Sequence, residues 1–119
     1  MNNMIKPIFF TVHRLLEGFD LHRPMKSGLK TYTIFLMILM VVEQYPANEV
    51  GQLFLNFIDY YTNYYKYEEN ISEKGEITKR LSIVDPLNNL NNAGGKDTNI
   101  DRLEMMFRIV FYGLQECGN

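Results

Sequence analysis

The chain has 119 residues, of which 46% are hydrophobic and 22% charged. That length sets one domain, residues 1–119, as the expectation, and the composition argues against disorder. A net charge of −2 excludes a general attraction to nucleic acid, so any phosphate contact has to come from a local patch.

Ile5, Ile8, Phe9, Val12, Leu15, Leu16 and Phe19 recur at steps of three and four. The spacing predicts a helix over Met4 to Glu17, with Gly18 as its stop and His13, Arg14 and Glu17 on the opposite face. LHRPMKSG reads as a loop. A second helix is predicted from Leu29 to Gln44, ended by Pro46, with Lys30, Thr31 and Tyr32 in its first turn. Its apolar run IFLMILMVV, Ile34 to Val42, falls well short of the roughly 20 residues that span a bilayer, so a helix buried on most sides is expected. A third helix is predicted from Asn48, as cap, to Tyr65, with Val50, Leu53, Phe54, Phe57, Ile58 and Tyr61 inward. The tyrosine-rich Tyr60 to Tyr67 suits packing against the last helix, or a base-stacking or protein-contact surface.

ENISEKGEITKR, Glu68 to Arg80, sets Lys74-Gly75 between two β-permissive pieces, which predicts a short hairpin within 70–84. Lys79-Arg80 reads as a solvated pair or as a contact to RNA backbone. Leu81 to Val84 reads as extended, and the Asn/Gly stretch LNNLNNAGG as a loop. Thr98 to Asp101 is expected to cap a last helix whose inner face is Leu103, Met106, Phe107, Val110, Phe111 and Leu114, with Gly118 at its end. The fold expected is mainly α: a small domain of four main helices and one short hairpin.

No phosphate-binding glycine motif is present, and the acids are scattered with no Asp-x-Asp pair. The single cysteine, Cys117, permits no internal disulfide, and His13 and His22 are too few for a metal centre. No catalytic and no metal-binding residue is assigned. The opening MNNMIKPIFF has no basic region followed by a long apolar stretch, so no signal peptide is expected.

Three stretches in order carry a family resemblance. They are IKPIFFTVHRLLEGFDLHRPMKSGLKTYTIFLMILMVVEQY, GQLFLNFIDYY, and LSIVDPLNNLNNAGG followed by a helix. Together they resemble the central, PAP-associated domain of the terminal RNA nucleotidyltransferases, the poly(A) and poly(U) polymerases of the DNA-polymerase-β superfamily. In that family a separate catalytic domain holds the metal-binding aspartates, and the central domain contacts the base, ribose and triphosphate of the incoming nucleotide. The resemblance implies ATP as substrate and Mg²⁺ for the complete enzyme, with no cofactor held by this chain. It also implies as partners an RNA 3′ end, a catalytic nucleotidyltransferase domain and RNA-surveillance proteins, in an intracellular, nuclear setting with no membrane.

Residue by residue, the family's recognition loop begins Asp-Pro and carries polar residues three and six positions after the Asp, here Asp85, Asn88 and Asn91. Asn91 resembles the TRAMP-type poly(A) polymerases, whereas uridylyl-adding relatives have a histidine there. Side-chain amides offer donors and an acceptor, which suits a base edge, and a turn-rich surface loop is the alternative. Tyr32 falls where the family stacks an aromatic ring on the base, Thr31 keeps a hydroxyl in place of the family's serine, and Lys30 adds charge. A core tyrosine with a satisfied hydroxyl is the alternative for Tyr32. His13 stands eleven residues before Pro24, where the family has a triphosphate-binding lysine, and Glu17 replaces a second lysine. Neither departure favours a triphosphate. Two functions follow: the nucleotide-recognition part of a poly(A)-type RNA 3′-end nucleotidyltransferase, not catalytic by itself, or a degenerate helical scaffold that docks a partner protein.

Overall fold

The structure, a computed structural model, describes residues 4–21, 31–85, 88–92 and 99–117. At Asn70, Thr78, 84–85, 88–92 and Cys117 the description extends to the backbone only. Lys30 and Gly118 lie outside the described residues.

Helix α1 runs Ile5–Gly18, α2 Thr31–Gln44, α3 Val50–Asp59 and α4 Ile100–Cys117. Strands β1 (Glu68–Ile71) and β2 (Ile77–Arg80) form one antiparallel pair, and β3 (Val84–Asp85) and β4 (Asn88–Asn92) another. The described residues form the expected mainly α domain with four α-helices and a hairpin at β1–β2, and add a second strand pair, β3–β4.

The inner edge of α1, Ile5, Ile8, Val12 and Leu16, follows the spacing read from the sequence. Its end does not. Gly18 is still helical, and the left-handed residue is Asp20, at φ 62°. The Leu21 N–H donates to the Leu16 carbonyl (2.8 Å) and the Asp20 N–H to the Glu17 carbonyl (3.0 Å), the paired bonds of a Schellman cap. Aspartate tolerates that conformation better than most residues, and Leu21 is buried as the apolar plug beneath the cap. The Asp20 carboxylate also meets Arg102 of α4 at 3.4 Å.

Helix α2 is the centre of the molecule. Thr33, Ile34, Leu36, Met37, Ile38 and Val41 are buried around most of its circumference, as a run without polar interruption requires. It packs on α1 and α3, and α3 packs on α4. The α3 cap is Glu49, in extended backbone and without a side-chain bond, rather than Asn48. Val50, expected inward, is exposed. At the start of α4 the Asn99 Oδ1 accepts the Arg102 N–H at 3.1 Å, while Thr98, the expected cap, lies outside the described residues.

Helix α3 does not continue regularly to Tyr65. It widens into a π-helical turn over Tyr60–Tyr64, closed by the Tyr65 N–H on the Tyr60 carbonyl at 2.8 Å. The wider turn gathers Tyr60, Tyr61 and Tyr65, with ring centroids 4.9, 5.3 and 6.2 Å apart. Tyr61 is buried, lies 5.6 Å from the Phe107 ring at 22°, and donates its hydroxyl to the Met37 carbonyl at 3.0 Å. Phe57 completes this cluster at 5.0 Å from Tyr61 and 5.9 Å from Phe107. Most of the tyrosine run therefore packs against the core, the first of the two readings given above. The Tyr65 hydroxyl takes the Ser82 N–H, and buried Leu81 and Ile83 on either side bind the segment after β2 into the core.

The hairpin turn is built from Ser72, whose carbonyl takes the Gly75 N–H (2.9 Å) and whose N–H donates to the Glu76 carbonyl (2.8 Å). Gly75 sits at φ 82°, where a side chain would be strained. The asparagine stretch, expected as a loop, is strand β4 over Asn88–Asn92, because Val84 and Asp85 supply a partner edge. Its register is irregular: Val84 pairs with Asn92 and Asp85 with Asn88, so one step on β3 faces four on β4.

Two outcomes are expected. Phe107→Ala should lower unfolding free energy by about 3–5 kcal/mol, read as a drop in the urea midpoint, because it empties the centre of the aromatic cluster. Burial, reinforced by neighbouring tyrosines, raises the pKa of Tyr61, and burial and Glu104 raise that of Tyr67. The fold thus keeps both neutral, while in the unfolded chain they ionise near pH 10. Above that pH the unfolded state holds fewer protons, so stability should fall as pH rises beyond about 10, and Tyr61→Phe should flatten the fall in alkaline denaturation curves.

Candidate functional site

Thr31 and Tyr32 form the first turn of α2 and both are exposed. The Tyr32 ring is 40% accessible, so it is not a core tyrosine. Helix starts carry backbone N–H groups without helical partners, which together with the dipole favour an anion. The first described turn of α2 thus presents an exposed ring and a hydroxyl in neighbouring residues.

His13 lies on α1, which packs on α2. It is half-buried, and Glu17, one turn on, faces it with Nδ1 and Oε1 2.6 Å apart. The Phe9 ring stacks on its other side at 5.9 Å and 27°. An imidazole held between a carboxylate and a phenyl ring is already engaged by a negative group, so it is not an arm waiting for phosphate. Arg14, the next cation on α1, is exposed.

Asp85, Asn88 and Asn91 belong to β3 and β4, with Asp85 and Asn88 paired directly across the hairpin. In a regular strand, positions three apart face opposite sides. β4 pairs with β3 at Asn88 and Asn92, and no pairing is described for Asn91. Lys30 lies beyond the described residues, as do the side chains of the two asparagines and Asp85.

Of the pair Lys79-Arg80, Lys79 is exposed and Arg80 is half-buried. Lys79 Nζ bonds Glu104 Oε1 of α4 at 3.1 Å, and the Arg80 Nε is buried without a hydrogen-bond partner among the described residues. Among the described residues no group of three or more His, Cys, Asp or Glu could hold a metal ion. None of the described helices is long and apolar enough to cross a membrane.

Sequence reasoning missed one pair of concavities. A hollow of about 180 Å³ is lined by Tyr45, Asn56, Asp59, Tyr60 and Tyr64. It adjoins a groove of about 660 Å³ between α3 and α4, and the two share Asn56 and Asp59. The signal available was the run of tyrosines after Asp59, but only the π-helical turn decides which rings point inward and which remain outside. Tyr64 is 62% exposed while Tyr61 is buried.

Neither protein-family models nor curated proteins match this chain. Among solved structures, that of a cytoplasmic RNA terminal U-transferase matches with a TM-score of 0.71 at 15% identity. The match covers 96% of this chain and 55% of that one, so this chain spans about half the length of that protein. At this identity the likeness is one of fold: nearly all of the described architecture recurs as part of a larger RNA terminal transferase.

Proposed function

We propose that the chain is the nucleotide-recognition domain of an RNA 3′-end nucleotidyltransferase of the poly(A) type, working with a catalytic domain that supplies the metal ion. The observation that carries this reading is the shared fold over 96% of the chain with a U-transferase. The exposed ring of Tyr32 on the first turn of the central helix agrees with it.

In this reading the Tyr32 ring stacks on the base, a contact worth roughly 1–3 kcal/mol. The Thr31 hydroxyl, the Lys30 ammonium and the first amides of α2 meet phosphate oxygens. Asp85, Asn88 and Asn91 read the base edge, each carboxamide acting as donor and acceptor. The chain contributes positioning, and attack of the RNA 3′-hydroxyl with release of pyrophosphate belongs to the complete enzyme. The His13–Glu17 contact supports a second reading, a helical scaffold that docks a partner without binding nucleotide.

Backbone amide NMR of the 119-residue chain titrated with ATP separates the two. Saturable shifts at Thr31, Tyr32, Asp85, Asn88 and Asn91, larger for ATP than for UTP, are expected. Silence at these positions at millimolar ATP would leave the scaffold reading, and a UTP response equal to or above that of ATP would remove the adenine preference. The α1 departure gives a second outcome. Replacing His13→Lys together with Glu17→Gln should tighten ATP by roughly two- to fivefold and leave AMP unchanged, as an exposed charge contact is worth up to about 1 kcal/mol. Calorimetric titration with both nucleotides reads the difference.

A further inference from the structure

Three tyrosines and a carboxylate converge at the far end of α2 from Tyr32. Tyr45 follows the last turn of α2, its N–H still bonded to the Val41 carbonyl at 2.8 Å. The Tyr45 and Tyr60 rings stand 6.0 Å apart at 52°, and Tyr64 borders the same hollow of about 180 Å³. Asn56 holds this edge in place, its Nδ2 donating to the Tyr45 carbonyl at 3.3 Å while its Oδ1 takes a bond from Gln52 at 2.9 Å. Asp59 lines the hollow. Its Oδ1 accepts a bond from Asn63 at 2.7 Å, and among the described residues no cation pairs with it.

Aromatic faces attract a cation placed within about 6 Å of the ring centroid, and a carboxylate beside them adds charge. No lysine or arginine appears among the described residues lining the hollow or the adjoining groove. An anionic ligand such as RNA backbone would meet Asp59 with nothing to offset it. The adjoining groove is a different surface: Leu55, Phe111 and Leu114 supply apolar wall, and Gln52 and Gln115 supply amides.

We infer that this composite surface docks a partner polypeptide through one basic side chain, the guanidinium or ammonium entering the tyrosine hollow over Asp59 and an apolar neighbour of that residue lying along the α3–α4 groove. Tyr32 and Tyr45 are 13 residues apart in sequence, so the surface is about 20 Å from the candidate nucleotide site, at about 1.5 Å per helical residue. A partner and a nucleotide could be held together, and the inference stands whether or not nucleotide binds.

The probe is acetyl-leucyl-arginyl-leucine amide, followed by backbone amide NMR on the whole chain. The control carries citrulline, the neutral isostere of arginine, and a short oligouridine serves as the RNA arm. Saturable shifts at Asn56, Asp59, Tyr60 and Tyr64 are expected with the arginine peptide. Binding should weaken by about fivefold with the citrulline peptide or in Asp59→Asn, and by roughly two- to fivefold in Tyr64→Ala. Tyr64 is exposed and Asp59 half-buried, and unchanged thermal unfolding verifies that the fold is intact. Equal shifts from the citrulline peptide, full binding by Asp59→Asn, shifts at these amides from oligouridine, or no response to the arginine peptide would each overturn the proposal.

Discussion

The hydroxyl of Tyr61 reaches the Met37 carbonyl inside the core, and the fold depends on that junction. Its ring lies against Phe57 of α3 and Phe107 of α4, so one residue joins three of the four helices. A buried phenol must find a partner or cost free energy, and the central helix supplies one from its own backbone. The π-helical turn makes this possible. By adding a residue to the last turn of α3 it brings Tyr65 in as well, where its hydroxyl receives the Ser82 N–H and anchors the chain that leads to β3.

That junction also explains how the candidate sites are held. Because α2 is enclosed by apolar contacts along its length, its two ends are fixed relative to each other while their surfaces remain open. One end presents Thr31 and Tyr32, and the other presents Tyr45 beside Asp59. A rigid central helix with accessible rings at both ends suits a domain that positions ligands for chemistry done elsewhere. The Asp20–Arg102 contact also links the end of α1 to the start of α4.

Much of the architecture was legible in the residues. Periodicity located α1, α2 and α4 because burial of one face, or of nearly all faces in α2, is written directly in the order of apolar residues. Lys74-Gly75 marked the hairpin because its turn needs a left-handed residue. What was not legible depended on distant partners. Asp20 replaced Gly18 as the stop since its cap uses Leu21, a residue buried by the rest of the fold. Asn88–Asn92 became a strand since Val84 and Asp85 offered an edge, whereas local turn preference favoured a loop. In the candidate site, the exposure of Tyr32 agreed with the resemblance, but the His13–Glu17 contact required both side chains to be seen in place. The tyrosine hollow was hidden because an ordinary α-helical count sets Tyr64 on the inner face with Tyr61, whereas past the π-helical turn Tyr64 is exposed.

The central claim is that one nucleotide base touches both the ring that opens α2 and the amides of β4. Intermolecular nuclear Overhauser contacts from ATP bound to the chain test it most directly. The account predicts cross-peaks from the adenine protons to the Tyr32 ring and, in the same complex, to the Asn88 or Asn91 carboxamides. Contacts from adenine to Tyr32 with none to β4, or to neither, would contradict it.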